Sequence, residues 1–177
     1  SIYGVARELS QLTGRYLRPI EHFPMREAKS MKLAIVVDAK RQVLRFCARV
    51  FSGVKIQPSK SAIRKRLLLL GVKSINNVVD LTNYFLHVYG QPMHAFDYDK
   101  IAGKKMIVRL TKKGERLVTL DEKEHVLDQD TIIIQDVEKI IDLAGIMGGK
   151  NSQIDKNTKN IVLTAAVFDP VHIRRTR

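Results

Sequence analysis

Residues 107–143 read IVRLTKKGERLVTLDEKEHVLDQDTIIIQDVEKIIDL. Four short runs rich in β-formers, Ile107–Leu110, Arg116–Leu120, Thr131–Gln135 and Lys139–Leu143, alternate there with polar residues and predict successive short strands. Upstream, Lys32–Val37 and Val43–Ile56 have the same character, the second with room for a bend at Ser52-Gly53. Phe46, Ala48 and Val50 alternate with Arg45 and Arg49, which predicts a strand with one basic face, and Cys47 reads as a small buried residue of that strand. Downstream, Asn160–Ala166 reads as a further strand, and Asp169-Pro170 opens a last helical turn.

Helical spacing appears elsewhere. Val5, Leu9 and Leu12 share a face before Gly14, and Pro58-Ser59 open a helix from about Lys60 to Leu70 that Gly71 ends. In the latter, Ile63, Leu67 and Leu70 form the apolar stripe while Arg64, Lys65 and Arg66 face solvent. Asn77–Tyr89, ended by Gly90, is the next helix. Two to three helices and about eight strands predict an α+β fold built on mixed or antiparallel sheets. Residues 15–31 carry Pro19 and Pro24 without periodicity, so residues 1–31 are expected to be the tail of a preceding domain with its linker, and 32–177 the module proper.

Of the 177 residues, 45% are hydrophobic and 28% charged, which suits a folded chain. No apolar run approaches the roughly 20 residues that span a bilayer, and the start SIYGVARELSQ lacks a signal-peptide pattern. A single cysteine forms no internal disulfide, and no Cys/His spacing suggests zinc, so a cytoplasmic protein without structural metal is expected. The net charge of +13 is uneven: residues 1–73 hold 16 basic and 4 acidic side chains, residues 74–177 hold 15 and 14. Such a gradient fits a polyanionic partner, nucleic acid above all, or else a solubilising surface. Serine-nucleophile motifs, HExxH and dense carboxylate clusters are absent from the sequence, which leaves phosphoryl transfer and metal hydrolysis without a basis.

Three segments carry chemical interest. In Gly90-Gln91-Pro92-Met93-His94-Ala95-Phe96-Asp97 a histidine follows a rigid connection, as a candidate acid, base or hydrogen-bond donor with Asp97 to orient it, or as a loop brace. Ala144-Gly145-Ile146-Met147-Gly148-Gly149 lies between predicted strands and reads equally as a tight hairpin or a ligand platform. Asn76-Asn77 and Thr82-Asn83 load a helix with polar side chains that either cap and stitch it or face a pocket, whereas Tyr84 and Phe85 read as core.

SINNVVDLTNY at 74–84, GQPMHAFD at 90–97, LAGIMGG at 143–149 and NIVLTAAVFDPVHIRRT at 160–176, in this order, resemble the beta-subunit family of bacterial phenylalanyl-tRNA synthetases. GVARELSQLTG at 4–14 and the segment from Phe46 to Ser74 fit the same family. The resemblance is to its third and fourth domains, the editing module, and implies a piece of a longer subunit in a tetramer of two alpha and two beta chains. It implies that the alpha chains hold the aminoacylation site with ATP and magnesium, that this module needs no cofactor, and that its substrate is tRNA(Phe) carrying tyrosine in error. A second site that requires the tyrosine hydroxyl supplies discrimination that an apolar pocket lacks.

Position by position, the resemblance makes His94 the editing-site histidine, flanked by Pro92, with Gly148 lining the pocket and Asn83 on the bordering helix. Thr164 stands where the family usually has a glutamate that accepts the phenolic hydrogen bond, and a neutral acceptor is the weaker one. The family's Thr-x-Ala-Ser segment beyond the last motif would follow Arg177, so an open pocket is expected. The alternative implied by Thr164 is a catalytically silent module that binds tRNA and supports the neighbouring subunit.

Overall fold

The computed structural model describes residues 1–21 and 31–176. Pro24 and most of the expected linker lie outside the described residues. Four α-helices, α1 (Ile2–Thr13), α2 (Ser61–Leu69), α3 (Asn77–Tyr89) and α4 (Pro170–Thr176), accompany ten strands among the described residues. The strands are β1 (Ala34–Val37), β2 (Val43–Phe51), β3 (Met93–Asp97), β4 (Lys105–Leu110), β5 (Arg116–Val118), β6 (Glu124–Val126), β7 (Ile132–Gln135), β8 (Ile140–Leu143), β9 (Met147–Gly148) and β10 (Ile161–Phe168). This is an α+β fold with mostly antiparallel pairing: a five-stranded sheet ordered β1-β4-β7-β8-β9, a three-stranded sheet β2-β10-β3, and the hairpin β5-β6. Only β1 and β4 run parallel among the described pairs.

The two larger sheets face each other. Phe96 and Val162, cross-strand partners on the three-stranded sheet, share one cluster with Met106, Val108, Ile134 and Ile141 of the five-stranded sheet. Alternation along β7 sends Ile133 to the opposite face, where it packs with Leu143, Leu117 and Leu127 under the small hairpin. The Ile132–Ile134 run is thus buried on both sides, which is why it is continuously aliphatic.

Local chemistry fixes the helices. Asn76 caps α3 by accepting from the Val78 and Val79 N–H groups at 3.1 and 3.0 Å. Gly90 ends α3 in the left-handed region with φ 78°, where glycine costs least. Asn77 bonds the Gln57 N–H and the Lys55 carbonyl, so the polar residues at the start of this helix stitch it to the preceding segment. The Asp80 carboxylate, fully buried, accepts from Ser59 Oγ and Ser74 Oγ at 2.5 Å and from Ile75 N–H at 2.8 Å, tying three segments together. Burial works to raise its pKa, but these three hydrogen bonds and the Arg64 guanidinium outweigh burial and hold it below the ordinary carboxylate value. Asp80→Asn is therefore expected to cost about 2–3 kcal/mol at pH 7. The deficit should shrink as pH falls below about 4, because a depressed native pKa gives stability that acid removes. Urea denaturation at pH 7 and pH 3 checks this, and an equal deficit at both would rule it out.

Three sequence expectations are corrected. Cys47 is exposed, because it shares the outward face of β2 with Arg45 and Arg49 rather than the inward face of Phe46 and Ala48. Phe85 is 40% exposed and lies against Tyr89, and in the apolar stripe of α2 Leu67 is buried but Leu70 is 40% exposed. Tyr3 of α1 also approaches Tyr89, at 6.1 Å between ring centroids, so α1 packs on α3. Among the described residues no helix is long and apolar enough to cross a membrane.

Candidate functional site

Where the core between the two large sheets opens, a cavity of about 570 Å³ remains. Such a volume is typical of small-ligand sites. Its floor continues the inward face of the three-stranded sheet: His94 of β3 lies directly opposite Thr164 of β10, one pair beyond the buried Phe96–Val162 pair. Ala166 and Phe46, partners on β10 and β2, extend the same face. From the other sheet come Ile134, Asp142 and Gly148, with Phe168 and Ile173 closing the side. Pro92, in the connection from α3 to β3, stands exposed among the lining residues.

The His94 imidazole is half-buried and meets the Phe96 ring edge-on at 4.5 Å. Desolvation lowers its pKa to about 4, so the ring is neutral at physiological pH. Asp97 does not orient it. Three positions along the strand put the two on opposite faces, and the Asp97 carboxylate is taken by Thr158 Oγ1 at 2.6 Å and Asp99 N–H at 3.0 Å.

Gly148 explains the glycine motif. A Cβ there would lie 2.6 Å from His94 Nε2 and closer still to Cε1, so a bare backbone is what lets the imidazole sit flush against β9. Gly145, at φ 72°, makes the turn, and Gly149 fits under the Ile141 carbonyl, with its N–H donating there at 2.9 Å. The segment is both a tight hairpin and a wall of the cavity.

Thr164 is buried, and its hydroxyl donates to the His94 carbonyl at 3.3 Å. Pro92, His94, Gly148 and Thr164 therefore converge on one cavity, while Asn83 sits on α3 outside its lining. Sequence reading passed over Asp142. Its carboxyl is 5% exposed on β8, and burial pushes its pKa up to about 8. The available signal was an acid in the aliphatic run Ile140-Ile141-Asp142-Leu143 of a doubly covered strand. Among the described residues no group of three or more His, Cys, Asp or Glu side chains is placed to hold a metal ion.

Residues 42–177 match the B3/4 domain family. Across 99% of its length the chain is 42% identical, over 179 residues, to the phenylalanine–tRNA ligase beta subunit of Protochlamydia amoebophila. It is 44% identical, over 182 residues and again 99% of its length, to that of Geobacter metallireducens. The chain spans 22% of the length of both relatives. Among solved structures it resembles in fold an N-terminal fragment of the phenylalanyl-tRNA synthetase beta-subunit from Pyrococcus horikoshii, with TM-score 0.64 and 15% identity. That likeness covers 95% of this chain and 51% of the other.

Proposed function

We propose, for a chain that belongs to the B3/4 domain family, that its cavity removes tyrosine wrongly esterified to tRNA(Phe), as part of a phenylalanine–tRNA ligase beta subunit. The observation that supports this most is the convergence of Pro92, His94, Gly148 and Thr164 on one cavity from separate elements. Water adds to the ester carbonyl, the bond to the terminal ribose oxygen breaks, and free tyrosine and uncharged tRNA leave. His94, neutral at working pH, is too weak a base to strip a proton from water unaided. It serves instead to orient the water or the ester through its ring nitrogens. Aminoacylation itself, with ATP and magnesium, belongs in this reading to the alpha subunit of a cytoplasmic tetramer of two alpha and two beta chains. The partners of the present chain are then tRNA(Phe) and that subunit, with the exposed Arg45, Arg49, Arg64 and Lys65 available to phosphates.

A second reading, a silent scaffold, draws on Thr164, a neutral residue whose hydroxyl is bonded to the His94 carbonyl. Deacylation of Tyr-tRNA(Phe) by the assembled enzyme separates the two, with Phe-tRNA(Phe) as control. Hydrolysis that falls about 100-fold in His94→Ala, the scale of a lost positioning contact, is expected. No hydrolysis above background, with aminoacylation intact, would leave the scaffold reading.

A further inference from the structure

The other buried carboxylates among the described residues are answered. Asp80 has three donors, Asp97 has Thr158 and a backbone N–H, and Asp136 receives the N–H groups of Ala102, Glu138 and Lys139. Asp142 is the exception: only 5% of the residue is exposed, burial is the one influence on its carboxyl with no hydrogen bond to offset it among the described residues, and what exposure it keeps is toward the cavity it lines. Burying a carboxyl without a partner is costly, and the fold obtains nothing from it that an aliphatic residue would not give.

Its register says where it points. Asp142 is the cross-strand partner of both Gly148 and Ile134, so its side chain leaves the sheet on the face where Gly148 lacks a Cβ. That face is the one the His94 ring occupies, and Asp142, Gly148, Ile134 and His94 all line the cavity. A carboxyl and an imidazole thus look into one space whose other walls, Phe46, Phe168 and Ile173, are apolar. The complementary ligand has a flat apolar body with a hydroxyl at its tip. Thr164, whose hydroxyl gives its hydrogen to the His94 carbonyl, has only lone pairs left to offer, whereas a carboxyl in its protonated form can both donate and accept.

We propose that Asp142 is the specificity residue of this cavity, pairing with the hydroxyl of an aromatic aminoacyl group and so favouring a tyrosyl over a phenylalanyl ester. The proposal rests on the editing reading and names its selective contact. A protonated carboxyl offers an O–H to donate and a carbonyl oxygen to accept, which matches both halves of a phenol. A phenylalanyl group leaves it unanswered, and sites built around a substrate hydroxyl discriminate strongly on that ground.

The test uses the full-length subunit in its tetramer with Asp142→Leu and Asp142→Asn. It measures kcat and KM for Tyr-tRNA(Phe) and Phe-tRNA(Phe), and binding of the non-hydrolysable 3′-tyrosylamino and 3′-phenylalanylamino derivatives of 3′-deoxyadenosine. Asp142→Leu is expected to lower the Tyr/Phe ratio of kcat/KM by roughly 10- to 100-fold, chiefly through KM, with Asp142→Asn between it and wild type. His94→Ala, in contrast, should depress hydrolysis of both esters through kcat. An unchanged ratio in a folded Asp142→Leu enzyme would overturn the proposal. Should wild type hydrolyse neither ester, the editing reading falls and the analogues decide Asp142 separately: a tenfold drop in tyrosyl preference sustains it, and an unaltered preference removes it.

Discussion

Gly148→Ala is expected to reduce hydrolysis of Tyr-tRNA(Phe) about 100-fold while the protein stays folded. The added methyl would stand 2.6 Å from His94 Nε2, closer than real Cβ atoms come to a neighbour, and 3.2 Å from Leu120 Cδ1, tighter than most. What must yield is a side chain and not backbone, so the imidazole swings away from β9. The backbone of Gly148 itself is not in the left-handed region, and alanine adds no conformational strain there. Overpacking of this kind costs about 1–3 kcal/mol, short of unfolding a domain of ordinary stability. The loss should therefore appear in kcat, with a modest fall in Tm. The decisive comparison is the double variant: once His94 is alanine, adding Gly148→Ala should cost almost nothing further, because both act through one ring. Additive losses would show that Gly148 matters for some other reason.

Asp142→Asn is expected to change the pH dependence of stability by a large amount. In the folded protein this carboxyl titrates at about 8 against an ordinary 3.8, so its contribution is whole only below pH 4 and drains away as pH rises through 8. The full difference is on the order of 5 kcal/mol. His94 works in the opposite sense: its pKa falls from 6.5 to about 4, and the stability it gives is present above 6.5 and lost toward pH 4. Between about pH 4 and 6.5 the two slopes oppose each other, and the wild-type decline due to Asp142 emerges between about 6.5 and 8. Asparagine carries no charge and should not show that decline. Urea denaturation of both proteins at pH 5 and pH 8.5 should thus find the variant gaining on wild type by several kcal/mol at the higher pH. Parallel profiles would mean that the carboxyl finds a partner in solution and stays ionised.

Much of the architecture was legible because its determinants are local. Asn76 and Gly90 mark the ends of α3 by capping chemistry, and the aliphatic runs from Ile107 to Leu143 announce strands by composition alone. The strand β6 escaped because Glu124, His125 and Val126 are all exposed and carry no inward residue to set a period of two. The motif glycines and His94 stood out in the sequence, but the reason for Gly148 did not. It depends on β9 of one sheet meeting β3 of another, 54 residues away. Asp142 was visible as an acid in an aliphatic run, but the space it faces was illegible for the same reason, since its partners Gly148 and Ile134 are set by register. Cys47 is the instructive miss: the alternation that made Arg45 and Arg49 exposed already required Cys47 to join them, and residue-type preference was allowed to override it.

The most direct measurement is a crystal structure of the tetramer with 3′-tyrosylamino-3′-deoxyadenosine. The account requires the aminoacyl group in the cavity between the two large sheets, its amide carbonyl beside His94 and its phenolic oxygen within hydrogen-bond distance of Asp142. Density for the ligand bound elsewhere on this chain, or in the cavity with the ring turned away from Asp142 and the ribose against it, would contradict that account.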